Sequence, residues 1–475
     1  MYSRKTSKVA ISLILAMFFI ATLFAGCGQN ADNAGTEQTT ASAAPAGTTA
    51  AAAVAEKDEK TAITMWAPPE GTYKPDQQQG DWYKADLIPA FNAVYPNITV
   101  DCQLVPWDGI NEKVTVAIAS KTTPDVYWDY GGRALPYANM GALEPLDDLF
   151  TPEQMEVFSN PDIQKMTALN GKIYIMPFKS TIVMLMLNKS MWEAAGAADL
   201  LPKDEYRTWT PEEFKAALKA VANKEKGIYG MTLYALNEQG DQLYNNTMVG
   251  FGAKLFNGDY SKYTATDTAA AAEALKFFKS IVDEGLCHPH PETLSSTNAL
   301  DYFRQGKNGI VVAGPATIGI IKNGLADGSI QAPLEYMYVN FPSATKGQAA
   351  LRSDIGNGCV FKSADPLKTK WAKKFLYWAY NDNDIVYNVT KCFNVTGKSY
   401  DWLKEDPELQ YMANTIKKAE EWPMVDPGWG IKGYSEMRAA QFPEIQQMFI
   451  NKTTPEETVA NIAAKFNDII AKYNK

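Results

Sequence analysis

The chain has 475 residues, a formal net charge of −9, 46% hydrophobic residues and 12% aromatic ones. An acidic balance with no basic run to track phosphates argues against a nucleic-acid partner. The length exceeds what one ordinary core organises, so two lobes are expected.

Arg4, Lys5 and Lys8 open the chain, and "VAISLILAMFFIATLF" follows over 9–24 with Ser12 and Thr22 as its only polar side chains. A basic start, an apolar stretch shorter than the ~20 residues of a permanent span, and small residues at its end make a secretory signal. Without those three basic residues the mature charge is near −12. The junction "FAGC", 24–27, resembles the lipobox of bacterial lipoproteins, with Phe24 where leucine is usual and Leu23 one place early. That resemblance implies that a signal peptide over 1–26 is removed and that Cys27 is lipidated. A diacylglyceryl group would supply the two chains that durable anchoring needs. From Gly28 to Lys60 there is no aromatic residue, and Val54 is the single aliphatic larger than alanine. Such a composition buries too little apolar surface to order itself, so 27–60 is expected to be the lipidated cysteine and a tether reaching roughly 30 Å.

The body begins with a short strand, "ITMW" at 63–66, then a helix from about 81 to 94 stopped by Tyr95 and Pro96. "ITVDCQL" alternates Ile98, Val100, Cys102 and Leu104, a strand of period two. A helix around 111–120 leads into the strand "DVYW", 125–128. This alternation predicts a mostly parallel sheet with helices on its faces. Thr210, Pro211 and Glu213 form a capping box, and Phe214, Ala217, Leu218 and Val221 make one buried stripe behind it. Thr454, Pro455 and Glu457 repeat the device. A third helix starts at Asp365 and Pro366 and buries Trp371, Phe375 and Trp378.

Chemistry is sparse. His288 and His290 are the only histidines; they flank a proline beside Cys287, and no third ligand cluster accompanies them. No metal and no cofactor are expected, and a histidine-based nucleophile system has nothing to draw on. Cys102, Cys287, Cys359 and Cys392 are far apart and lack CxxC spacing; up to two disulfides are open to them, with buried free thiols the expectation. A glycosidase needs only two carboxylates ~5 to 9.5 Å apart, which leave no linear signature. An exported carbohydrate-active enzyme therefore stands as the alternative.

Five segments in order carry a wider resemblance that extends over about 400 residues: "TPDVYWDYGGRALPYANMGALEPLDDL" (123–149), "NGKIYIMPF" (170–178), "MLMLNKSMWEAAG" (184–196), "YRTWTPEEFKAAL" (206–218) and "YFRQGKNGIVVAGPA" (302–316). Together they resemble the extracellular solute-binding proteins of bacterial ABC importers, in the maltodextrin-type sugar-binding family. The resemblance implies an α/β, two-lobed periplasmic-binding-protein-like fold of type II, with the ligand cleft between the lobes and hinge closure over the solute. It places 61–176 and 309–354 in an N-terminal lobe, and 177–308 and 355–475 in a C-terminal lobe. It implies high-affinity capture of a solute, a sugar or oligosaccharide, by a monomer held outside the cytoplasmic membrane through its lipid, for delivery to ABC permease subunits. A two-lobed binder of a non-sugar solute is the other reading.

A sugar pairs an apolar C–H face with a rim of hydroxyls, so its pocket needs flat rings and a few orienting polar groups. By the same resemblance the ligand-binding residues are Trp66 and Glu70 beyond the first strand, Trp128, Asp129 and Tyr130 after the third, Lys179 and Thr181 at the lobe crossing, Tyr244 and Asn245 in a further cleft segment, and Trp429 and Tyr434 near the C-terminus. One departure stands out: Ala316 follows the "GP" turn where sugar binders of the family place an aromatic platform.

Overall fold

The computed structural model describes residues 58–330 and 333–474. The signal peptide, Cys27 and the tether as far as residue 57 lie outside the described residues. In chain order the elements used below are β1 Thr61–Ala67, α1 Ile88–Val94, β2 Ile98–Leu104, α2 Ile110–Ser120, β3 Val126–Tyr130, α3 Gly131–Asn139, β4 Lys179–Asn188, α4 Pro211–Val221, β5 Tyr229–Met231 and α5 Asp241–Gly250. They continue with β6 Asn308–Ala313, α6 Ala316–Ala326, β7 Tyr336–Val339, β8 Arg352–Ile355, β9 Asn357–Val360, α7 Pro366–Asn381, β10 Phe393–Asn394, α8 Tyr434–Phe449 and α9 Pro455–Tyr473.

Two sheets organise two lobes. The first runs β9-β3-β1-β2, with β1 parallel to both β2 and β3 and β9 antiparallel to β3. Ile63, Met65 and Ala67 alternate inward on β1, as Ile98, Val100 and Cys102 do on β2. Strand β3 is buried on both faces up to Asp129, as expected of a central strand in a covered parallel sheet. The second sheet runs β8-β4-β6-β5, with β7 and β10 also paired to β4. Every residue of β4 is buried. Its even positions Met184 and Met186 face one core, and its odd positions Leu185 and Leu187 face the other.

The expected helix starts form as capped ends. Thr210 Oγ1 accepts the Glu213 amide at 3.2 Å while Glu213 Oε2 accepts the Thr210 amide at 2.9 Å. Thr454 and Glu457 do the same for α9. Asp365 Oδ1 accepts the Leu367 amide at 2.9 Å and opens α7, whose Trp371 and Phe375 pack on Phe91 of α1.

Strand pairing corrects the lobe boundaries. Segment 309–354, expected beside the first sheet, supplies β6, β7 and β8 to the second. Segment 355–475, expected with the second, returns β9 to the first sheet, and α7 covers that sheet. Between β8 and β9 a single residue, Gly356, carries the chain from one sheet to the other. Its φ is +81°, and a Cβ there would sit 2.7 Å from Thr167 Cγ2. Glycine is required by both the backbone and the space.

Cys102, Cys287, Cys359 and Cys392 are all buried free thiols. Burial pushes Cys102 up to about 11 and Cys287 up to about 12, so neither is a ready nucleophile. His288 is buried, stacked on Tyr302 at 4.1 Å and tilted against Tyr229 at 4.4 Å, whereas His290 is exposed beside Glu292.

Candidate functional site

Parallel strands deliver their following loops to one end of a sheet, and that end is where open α/β folds bind ligands. The loops after β1 and β3 reach a cavity whose far wall comes from the second sheet, α6 and α8. The space is about 210 Å³ and opens to solvent.

Trp107, Tyr130, Tyr234 and Trp429 line it. Trp107, after β2, donates its indole N–H to the Pro69 carbonyl at 3.0 Å and lies nearly parallel to Tyr130, centroids 6.3 Å apart. Trp429 enters from the segment before α8 and lies against Gly132 in the first turn of α3. A Cβ on Gly132 would fall 1.8 Å from Trp429 Cδ1, so this close approach exists only because the position is glycine.

Polar groups sit around the rings. Glu70 Oε1 accepts from Lys179 Nζ at 2.7 Å and from the Tyr130 hydroxyl at 2.5 Å, while Glu70 Oε2 is buried with no partner. Burial opposes the Lys179 ammonium, but the neighbouring Cys392 and Glu70 side chains outweigh it and hold its pKa above the ordinary value. Burial and the adjacent Glu70 push the Tyr130 phenol well up, so it remains a neutral donor.

Arg133 of α3, Arg352 of β8 and Arg438 of α8 complete the wall. Their counter-ions are layered behind them. Asp129 lies 3.3 Å from Arg133 Nε; Asp241 lies 3.3 Å from Arg352 Nη1 and 3.0 Å from Arg438 Nε; Glu238 lies 2.9 Å from Arg438 Nη1. Outside the cavity lining, Asn111 Nδ2 donates to Glu238 Oε2 at 2.8 Å and Asn237 Nδ2 donates to Asp108 Oδ1 at 2.7 Å. These two bonds tie the α2 end of the first lobe to the second lobe, as in a closed clamp.

Of the residues expected at the ligand, Glu70, Tyr130, Thr181 and Trp429 line the cavity. Lys179 and Asp129 stand just behind it, one holding Glu70 and the other Arg133. Tyr434 lies beneath Arg438, its hydroxyl buried and without a partner. The remaining assignments are corrected. Trp128 is fully buried between Tyr380 and the Trp82–Tyr83 pair, and a ring with no open face offers nothing to a solute. Tyr244 is a core residue of α5 whose hydroxyl donates to the Tyr234 carbonyl at 2.8 Å. Asn245, on the same helix, accepts from Gln441 at 3.0 Å. Trp66 lies on the flank of the first sheet beneath the Lys113 ammonium at 4.2 Å. Ala316 does line the cavity, at the start of α6, and leaves that wall small.

Sequence reasoning missed Trp107 and the three arginines. A signal was present for the arginines: the chain has only six of them among 45 basic residues.

A family model described as "Bacterial extracellular solute-binding protein" matches residues 74–384. A chain of Brucella abortus (strain 2308), named as a binding protein, is 25% identical over 402 residues, covering 82% of this chain and 90% of that one. The diacetylchitobiose binding protein DasA of Streptomyces coelicolor is 27% identical over 316 residues, 65% of this chain and 68% of its own. Among solved structures, an ABC transporter solute binding protein from Thermotoga lettingae TMO, bound with alpha-D-tagatose, superimposes with a TM-score of 0.69 at 21% identity, covering 87% of this chain and 100% of that one.

Proposed function

Because the chain belongs to the bacterial extracellular solute-binding proteins, we propose that it captures a sugar or oligosaccharide in the cleft between its lobes and hands it, chemically unchanged, to the permease subunits of an ABC importer. One observation carries the choice of a saccharide: Trp107, Tyr130 and Trp429 converge on a cavity lined also by polar side chains of both lobes, among them Glu70, Arg133, Thr181 and Arg352. Rings cover the C–H face of a pyranose with little loss of side-chain freedom, and the polar atoms fix its hydroxyls. The diacetylchitobiose and tagatose named for two similar proteins agree with that reading. Trp107→Ala is expected to weaken binding of a saccharide found in a thermal-shift screen by at least ~1 kcal/mol, read by calorimetry. Unaltered affinity would mean that the solute does not rest on this ring.

The protein then works as a monomer tethered outside the cytoplasmic membrane through Cys27, which holds captured solute near the permease. Cys27→Ser is expected to shift it from the membrane fraction to the soluble one, and an unchanged distribution would rule the anchor out.

A further inference from the structure

Lysine outnumbers arginine heavily in this chain, yet three of its six arginines line one cavity. Arg133, Arg352 and Arg438 are each at least nine-tenths buried. Nitrogens Nε and Nη2 of Arg133, and Nε and Nη1 of Arg352, are buried without a hydrogen-bond acceptor, although carboxylates stand nearby. The counter-ions Asp129, Asp241 and Glu238 do not reach the cavity. The charged residues that do line it are Arg133, Arg352, Arg438, Asp354 and Glu70; Asp354 lies 3.6 Å from Arg352 Nε and offsets one cation, and Glu70 is already neutralised by Lys179. The face turned toward a solute is therefore cationic, in a chain that is acidic overall.

We propose that the solute is an acidic saccharide, a sugar acid or an oligosaccharide containing one, whose carboxylate sits among Arg133, Arg352 and Arg438. This rests on the reading of the cleft as a saccharide site. The planar guanidinium fork matches a carboxylate with two parallel N–H bonds, which a point-charge lysine does not offer. The free Glu70 Oε2 is the complementary feature, an acceptor for sugar hydroxyls that a bare anion would leave unpaired.

The charge arrangement also couples binding to closure. Arg133 belongs to the first lobe and Arg438 to the second, and both line the same cavity, where their like charges repel. An anion between them relieves that repulsion only when the lobes are together. It therefore binds the closed form better than the open one, which is the condition for a ligand to drive closure.

The test is a set of matched pairs: digalacturonate against neutral galactobiose, a glucuronate-containing disaccharide against cellobiose, and citrate as a carboxylate without a sugar. Thermal shift and calorimetry on the full chain are expected to show at least one acidic saccharide binding tenfold or more tighter than its neutral counterpart, with an advantage that shrinks as salt rises. Arg133→Gln should bring that ratio toward one, with the unliganded melt confirming the fold. Should the glutamine variant fail to fold, Arg133→Lys keeps the charge, removes the fork and should still narrow the ratio. Equal or tighter binding of the neutral partner overturns the acidic assignment and leaves the saccharide reading standing. Binding of citrate with no response to any saccharide overturns the saccharide reading itself. No response to any acidic saccharide overturns the proposal.

Discussion

Trp128→Ala is expected to lower folding stability by about 3–5 kcal/mol, the usual effect of truncating a fully buried tryptophan. The ring has no exposed area and stacks on Tyr380 of α7 with centroids 5.0 Å apart and planes 22° apart. Its edges meet Tyr83 at 5.5 Å and Trp82 at 6.3 Å. Removing it leaves a void at the junction of β3, α7 and the turn before α1, where interlocked rings have little freedom to collapse. Urea unfolding followed by circular dichroism measures the loss. A change below ~1 kcal/mol would mean that the ring is not the keystone its contacts make it. Trp107→Ala separates the two roles, since that ring is half-buried at the cavity and its loss should appear in affinity first.

Asp241→Asn is expected to have an effect of similar size for an electrostatic reason. Asp241 is wholly buried at the start of α5, held between Arg352 and Arg438. The asparagine keeps the shape but leaves two buried guanidiniums short of a counter-charge, and breaking a buried pair in this way costs about 3–5 kcal/mol. The pH dependence gives a second check. Burial by itself would raise the Asp241 pKa, but Arg352 and Arg438 outweigh it and hold the carboxyl below its ordinary 3.8. A depressed folded pKa means that the unfolded chain binds the proton more readily. The carboxylate's stabilisation is then fully present above the ordinary value and lost as pH falls through the folded one. Wild type should shed this contribution on acidification, and Asp241→Asn should lack that part of the acid profile. A variant as stable as wild type at neutral pH, with an unchanged acid limb, would remove Asp241 from the network.

Local order was legible in the sequence wherever the physics is local. Capping boxes at Thr210 and Thr454, the stripe from Phe214 to Val221, and the alternation along β2 each depend on residues within a few positions of one another, and all are present in the structure. The cleft was legible only in part. Glu70, Tyr130, Thr181 and Trp429 follow elements whose order matched a known arrangement, whereas Trp107 lies in an irregular segment with no periodic signal. Trp128 was placed at the ligand by the resemblance alone; β3 is buried on both faces, so its alternation offered no check on which way that ring turns.

The sequence by itself thus determined the class of fold and the ends of its clearest helices, and it carries the expectation of an export signal and a tether. Only the tertiary structure decided which sheet β6, β8 and β9 join, and that Arg133, Arg352 and Arg438 meet at one wall. The reason is physical: periodicity and capping arise from neighbours along the chain. Strand pairing and the gathering of charge depend on where a crossing such as Gly356 sends residues that lie hundreds of positions apart.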